Sequence, residues 1–294
     1  MFKLEGSIVA LVTPFNNDGS VNFDKLGELI EFHIKNHTDA LCILGTTGEA
    51  STMEFAEEEE IVKYAVKKAA KRIPLIFGSG SNCTRTAIDY SVKYGNMGAD
   101  ALLVISPYYN KTNESGMIKH FTAIADAAPC PIIMYNVPGR TGCSITPHAG
   151  EVLSHHPNII GIKEASGDLT YAGKIARYLN DDFRMVSGND DIVVPLMSIG
   201  ASGVISVWAN IMPQTVHDMV FNFKNGNLEA AKNTQLKYLD LIHNLFAETN
   251  PIPIKAAMNY LGYNVGPLRA PLDEMSPAKF DVLKTYLDEI KETV

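Results

Sequence analysis

Short apolar runs recur along this chain at fairly even intervals, each followed by a stretch whose apolar residues fall at helical spacing. That alternation constrains the fold most, because strand–helix–strand units force parallel pairing, with helices covering the sheet. The runs are residues 7–13 (stopped by Pro14), 40–44, 75–77, 101–105, 131–135, 159–163, 183–187 and 203–207. They are nearly continuous in apolar residues, as expected of strands buried on both faces. Between them, Phe23, Leu26, Leu29, Ile30 and Ile34, and later Ile61, Val62, Ala65 and Val66, keep a helical period. Eight such units match a (β/α)8 barrel in count and length. A doubly wound sheet is the alternative, but the nearest thing to its dinucleotide signature, Gly78-Ser79-Gly80, lacks a third glycine and an acidic partner. After Gly226 the pattern changes to helix upon helix, over residues 228–246, 254–261 and 277–290. The expected organisation is a catalytic barrel at 1–225 and a helical region at 226–294 packed on it.

Bulk properties narrow the function. Over 294 residues the apolar share is 46% and the charged share 20%, as in an ordinary globular protein. A formal charge of −8 offers no basic stripe, so nucleic acid is not expected as a partner. No apolar run approaches the ~20 residues of a membrane helix, and the chain reaches its first strand without a signal-peptide core. The four cysteines are scattered, with no Cys-x-x-Cys, and read as reduced thiols. A soluble, cytoplasmic protein is expected.

In a barrel of this class the chemistry sits just after each strand's C-terminal end. Lys163 closes the sixth run, before Ser166, Gly167 and Asp168 break it, and Asp168 suits the N-cap of the next helix. Burial disfavours an ammonium, so a strand-end lysine there can become a neutral nucleophile. The structural alternative is a buried stem whose head reaches water or Glu164. Thr46 and Thr47 lie in a Gly-bracketed turn after the second run, able to hold a carboxylate through backbone amides. Tyr108 and Tyr109 follow the fourth. Tyr135 ends the fifth, with Arg140, a bidentate carboxylate donor, just beyond, and Gly188 follows the seventh. Each has a structural reading of its own, but one barrel mouth would collect them all.

Gly45-Thr46-Thr47-Gly48-Glu49, Tyr135-Asn136-Val137-Pro138-Gly139-Arg140-Thr141 and Gly161-Ile162-Lys163-Glu164-Ala165-Ser166-Gly167-Asp168 together resemble the dihydrodipicolinate synthase family. That family belongs to the pyruvate-dependent class I aldolases, with N-acetylneuraminate lyase. The similarity runs from Gly6 past Asn250-Pro251-Ile252-Pro253. It implies that Lys163 forms an imine with pyruvate, that Tyr135 shuttles protons, and that Thr46 and Tyr109 complete a relay with Tyr135. Tyr109 would come from a neighbouring subunit, implying a homo-oligomer built on a tight dimer and commonly paired into a tetramer. Thr47 would bind the pyruvate carboxylate, Arg140 the carboxylate of L-aspartate 4-semialdehyde, and Gly188 and Ile205 would line the pocket. No metal or organic cofactor is implied. Arg140 separates this reading from a sugar-acid-cleaving aldolase of the same superfamily, and the intact set of groups separates it from a non-catalytic keto-acid-binding relative. In the resemblance, lysine-inhibited members carry a histidine and a glutamate at the positions of Glu58 and Thr86. Asn82 and Tyr108 match, but the acidic partner at Thr86 is missing, so weak or absent inhibition by lysine is expected.

Overall fold

The computed structural model describes residues 2–291; residue 1 and residues 292–294, at the outer ends of the two expected regions, lie outside it. Eight strands form a closed parallel barrel in chain order. They are β1 (Gly6–Ala10), β2 (Ala40–Ile43), β3 (Leu75–Gly78), β4 (Ala101–Ile105), β5 (Ile132–Asn136), β6 (Ile159–Glu164), β7 (Arg184–Ser187) and β8 (Gly203–Ser206). Closure comes from β8 pairing back onto β1, with Ile8 opposite Ile205.

The apolar runs are continuous because each strand is buried on both faces. Ile8, Ala10, Ala40, Cys42, Ala101 and Ile205 point into the lumen, where small residues suit the narrow interior. Their neighbours Val9, Leu41, Leu102, Val104, Met134 and Val204 pack outward against the helices. Among the described residues no helix is long and apolar enough to cross a membrane.

Two expectations need correction. The first run leaves the strand after Ala10, because Thr13 turns its hydroxyl onto the Gly48 carbonyl at 2.7 Å instead of continuing the ladder. The stretch after β5 that carries Arg140 contains a helical turn, Pro138–Thr141, with proline at its start and Gly142 in the left-handed conformation after it. The expected helix over 228–246 is two, Leu228–Lys237 and Leu239–Asn244, broken at Tyr238, whose ring packs 5.2 Å from that of Trp208. The helices Ile252–Tyr260 and Pro277–Lys291 follow. The segment leading into the first of them, around Asn250, reaches the barrel mouth.

Candidate active site

The central geometry is made by β5 and β6. Ile132 pairs with Ile159, but Ile133 pairs with Gly161, so Ile160 is an extra residue in the ladder. Such a bulge shifts the inward–outward phase by one. Beyond it Ile162 packs outward and Lys163 joins Tyr135 on the lumen side, directly opposite it. Without the extra residue, Lys163 would face the helices. Gly161 is required at this point, since an added Cβ would lie 2.0 Å from the Arg184 carbonyl oxygen.

Lys163 is buried at 7% exposure, and its Nζ lies 4.4 Å from the centroid of the Tyr135 ring. The strand then ends as expected, with Asp168 capping the next helix by accepting from Thr170 N and Tyr171 N. Glu164 faces away from the lysine, accepting from Asn136 Nδ2 at 2.8 Å and Ser166 N at 2.7 Å, and burial raises its pKa. It is not the lysine's partner.

Gly188 packs against the lysine stem. A Cβ there would sit 2.9 Å from Lys163 Cε and 2.5 Å from Ala165 Cβ. Gly188→Ala is therefore expected to push the amine out of line and lower the rate of imine formation by roughly ten- to a hundredfold. Stopped-flow or borohydride-quench kinetics with pyruvate would show it, and an unchanged rate would remove Gly188 from the site.

Tyr135 also lines a cavity of about 410 Å³, together with Thr46, Arg140, Tyr108, Glu58 and Thr86 among others, whereas Lys163, Thr47, Gly188 and Ile205 are not part of its lining. A larger cleft of about 720 Å³ lies between the loop after β1 and the C-terminal helices, and none of the expected site residues line it. Gly78 and Gly80, set aside as a dinucleotide signal, form a wall of the smaller cavity. Their role is close backbone approach, for a Cβ at Gly78 would meet the Leu44 carbonyl oxygen at 2.0 Å and one at Gly80 the Ile105 nitrogen at 2.4 Å.

Thr46 and Tyr135 share the cavity, and among the described residues no hydrogen bond joins their hydroxyls. Thr47 is buried, with Oγ1 accepting from Asn250 Nδ2 at 2.9 Å. Arg140, at the rim, donates from Nη2 to the Asn250 carbonyl at 2.9 Å. Ile205 is fully buried in the lumen cluster that includes Tyr135. Tyr109 stands apart. It is 91% exposed, outside this chain's own cavity, and held at φ +64°. Leu44 (φ +58°) and Glu49 (φ +56°), on either side of the threonine turn, are also left-handed and carry backbone strain. The sequence assigned no role to Asn250, Glu49 or Lys255, which brace this mouth; Glu49 stood only as the last residue of the threonine-turn motif, and Asn250 only at the head of the Asn250-Pro251-Ile252-Pro253 stretch.

The arrangement offers an amine facing a phenol on one strand pair, with a threonine turn and an arginine at the rim. A family model described as the dihydrodipicolinate synthetase family matches residues 3–290. The 4-hydroxy-tetrahydrodipicolinate synthase 1 of Clostridium acetobutylicum is 53% identical over 287 residues, 98% of each chain. The chloride-inhibited dihydrodipicolinate synthase (DHDPS) from Acinetobacter baumannii, solved in complex with pyruvate, superposes with a TM-score of 0.95 at 39% identity, covering 98% of this chain and 99% of that one. DHDPS from Cyanidioschyzon merolae, solved with lysine bound, gives 0.94 at 37% identity over 98% of each chain. The chain belongs to the dihydrodipicolinate synthetase family.

Proposed function

We infer that this protein is a lyase that condenses pyruvate with L-aspartate 4-semialdehyde to give 4-hydroxy-tetrahydrodipicolinate, a step of lysine and diaminopimelate biosynthesis. The observation that carries the mechanism is Lys163 facing Tyr135, a residue of the cavity wall, across adjacent strands. In the proposed sequence, Lys163 Nζ attacks the pyruvate ketone, and the resulting carbinolamine loses water as Tyr135 delivers a proton to the departing hydroxyl. The iminium acidifies the neighbouring methyl group, and the Tyr135 phenolate left by that transfer takes one of its protons. The enamine so formed attacks the aldehyde carbon of the second substrate, making the new C–C bond. Attack of that substrate's own amine on the imine carbon closes the ring and releases Lys163. Thr47 and nearby amides would hold the pyruvate carboxylate, Arg140 that of the semialdehyde, and Gly188 and Ile205 would shape the pocket.

Thr46 would relay protons with Tyr135 and with Tyr109 of the partner subunit. The exposure and left-handed backbone of Tyr109 support a role outside its own chain. On that reading the working unit is a homo-oligomer built on a tight dimer, acting in the cytoplasm. The division into a barrel at 1–225 and a helical region at 226–294 is proposed with it.

Borohydride reduction in the presence of pyruvate is expected to leave a stable adduct, placed on Lys163 by peptide mass analysis. An unmodified lysine after reduction would sink the mechanism and favour a keto-acid-binding protein. A coupled assay offering aspartate semialdehyde or a sugar acid separates the synthase from a related aldolase.

Regulation by lysine is expected to be weak or absent. Glu58 and Thr86 both line the cavity, but Thr86 carries no charge, and Glu58 is occupied by the Tyr94 hydroxyl. Burial pushes the Glu58 carboxyl up to about 7, so near neutral pH it is a half-ionised partner for an ammonium. Half-inhibition of the rate is expected only above roughly 1 mM L-lysine. A sub-millimolar midpoint would overturn this.

A further inference from the structure

Asn250 touches both expected carboxylate sites at once. Its side-chain amide donates to Thr47 Oγ1 at 2.9 Å, while its backbone carbonyl accepts from Arg140 Nη2 at 2.9 Å. The residue is 6% exposed, and its Oδ1 is buried with no partner among the described residues. It comes from neither a barrel strand nor a loop after one, but from the turn leading into helix Ile252–Tyr260. A buried amide oxygen left unpaired is costly. Such a group persists where the other end of the amide has a use.

We propose that Asn250 is a positioning residue that orients the Thr47 hydroxyl toward the pyruvate carboxylate and fixes the distance from that site to Arg140. This rests on the roles given above to Thr47 and Arg140 and deepens them. A threonine hydroxyl has one proton and two lone pairs. Because the Asn250 amide donates into a lone pair, the Thr47 proton is left free to be given to an anion. A carboxylate at position 250 would do the reverse: it would take the Thr47 proton for itself and place a negative charge beside two anionic substrates. The neutral amide thus suits the site, although asparagine and aspartate have nearly the same shape. The Arg140 side chain is long and at the rim, so holding its guanidinium on the Asn250 carbonyl limits its freedom before the semialdehyde arrives. That contact uses the main chain, so a side-chain substitution leaves it in place.

Asn250→Ala and Asn250→Asp, made in the full-length protein, test the idea through substrate-specific KM. Asn250→Ala should raise the pyruvate KM about tenfold and leave the semialdehyde KM and kcat nearly unchanged. Asn250→Asp should raise the pyruvate KM about a hundredfold and the semialdehyde KM as well, as loss of hydrogen bonding to charged groups implies. In a Thr47→Val background, Asn250→Ala should add little, because its route of action is already gone. Thermal unfolding of each variant separates positioning from support of the fold. An unchanged pyruvate KM in both variants overturns the proposal. So does a loss of thermal stability with both KM values unmoved, or an effect of Asn250→Ala that persists in full without the Thr47 hydroxyl. Borohydride trapping on the unaltered protein distinguishes the two levels. No Lys163 adduct sinks the underlying reading, whereas an adduct with Asn250 variants of normal pyruvate dependence sinks this inference alone.

Discussion

Lys163→Ala is expected to lower kcat by at least about 10⁴-fold while the chain stays folded. Covalent catalysis divides a difficult condensation into easier steps, and removing the nucleophile removes every one of them together. The surroundings of this amine fit the proposed nucleophile. Its stem passes close to Gly188, and its head lies 4.4 Å from the centroid of the Tyr135 ring. Among the described residues its amine makes no hydrogen bond or ion pair, only the contact with the Tyr135 ring, so truncation strands no buried polar partner. Thermal unfolding should therefore stay near the wild-type midpoint. A coupled rate assay and borohydride trapping measure the loss, and the trapped pyruvate adduct should vanish in the same variant. Turnover within tenfold of wild type, in a folded protein, would mean that no imine on this residue is needed. Lys163→Arg is a useful companion, since it keeps a long nitrogen-bearing side chain near Tyr135 but forms no comparable imine at neutral pH. It should be as inactive as the alanine variant.

The barrel was legible because its strands are apolar on both faces and bounded by Gly and Pro, so each run stands out against amphipathic helices. Lys163, Tyr135, Thr46 and Arg140 were legible for a related reason, since strand ends are where such a barrel gathers its chemistry. What could not be read depends on pairing between distant segments. That Lys163 faces the lumen follows from the extra residue Ile160, visible only once β6 is laid against β5. That Thr47 and Arg140 are tied together depends on Asn250, which lies 203 residues from Thr47 and 110 from Arg140. No local spacing encodes those contacts. The helical turn carrying Arg140 is one turn long, too short for any period to show. Tyr109 is a different case, since its proposed partner is a second chain.

Lys255→Met is expected to lower the unfolding midpoint by about 5–8 °C, the largest stability loss anticipated from a single change near the mouth. Lys255 is 1% exposed, and its Nζ donates to Glu49 Oε1 at 2.8 Å, the Thr13 carbonyl at 3.1 Å and the Pro267 carbonyl at 2.6 Å. The ammonium also lies 4.3 Å from the centroid of the Phe15 ring. Burial pulls its pKa below the usual lysine range, and the Glu49 charge opposes that pull. Methionine would fill most of the volume but leave Glu49, itself 1% exposed, holding a buried negative charge with, among the described residues, only Arg269 N still donating to its carboxylate, at 2.9 Å. Breaking such a pair from one side costs about 3–5 kcal/mol. At about 2.1 cal/mol/K of unfolding entropy per residue, that loss converts to the shift given above for a chain of 294 residues. Adding Glu49→Gln should restore part of the midpoint, because it removes the stranded charge and keeps an acceptor for Arg269 N. The same variant probes the site, since Glu49 ends the turn that carries Thr46 and Thr47 and is itself held at φ +56°. With its ammonium gone, that turn should relax and the pyruvate KM should rise together with the fall in midpoint. Calorimetry of the single and double variants would settle the matter: a midpoint for Lys255→Met indistinguishable from wild type would show that the buried pair braces neither the fold nor the threonine turn.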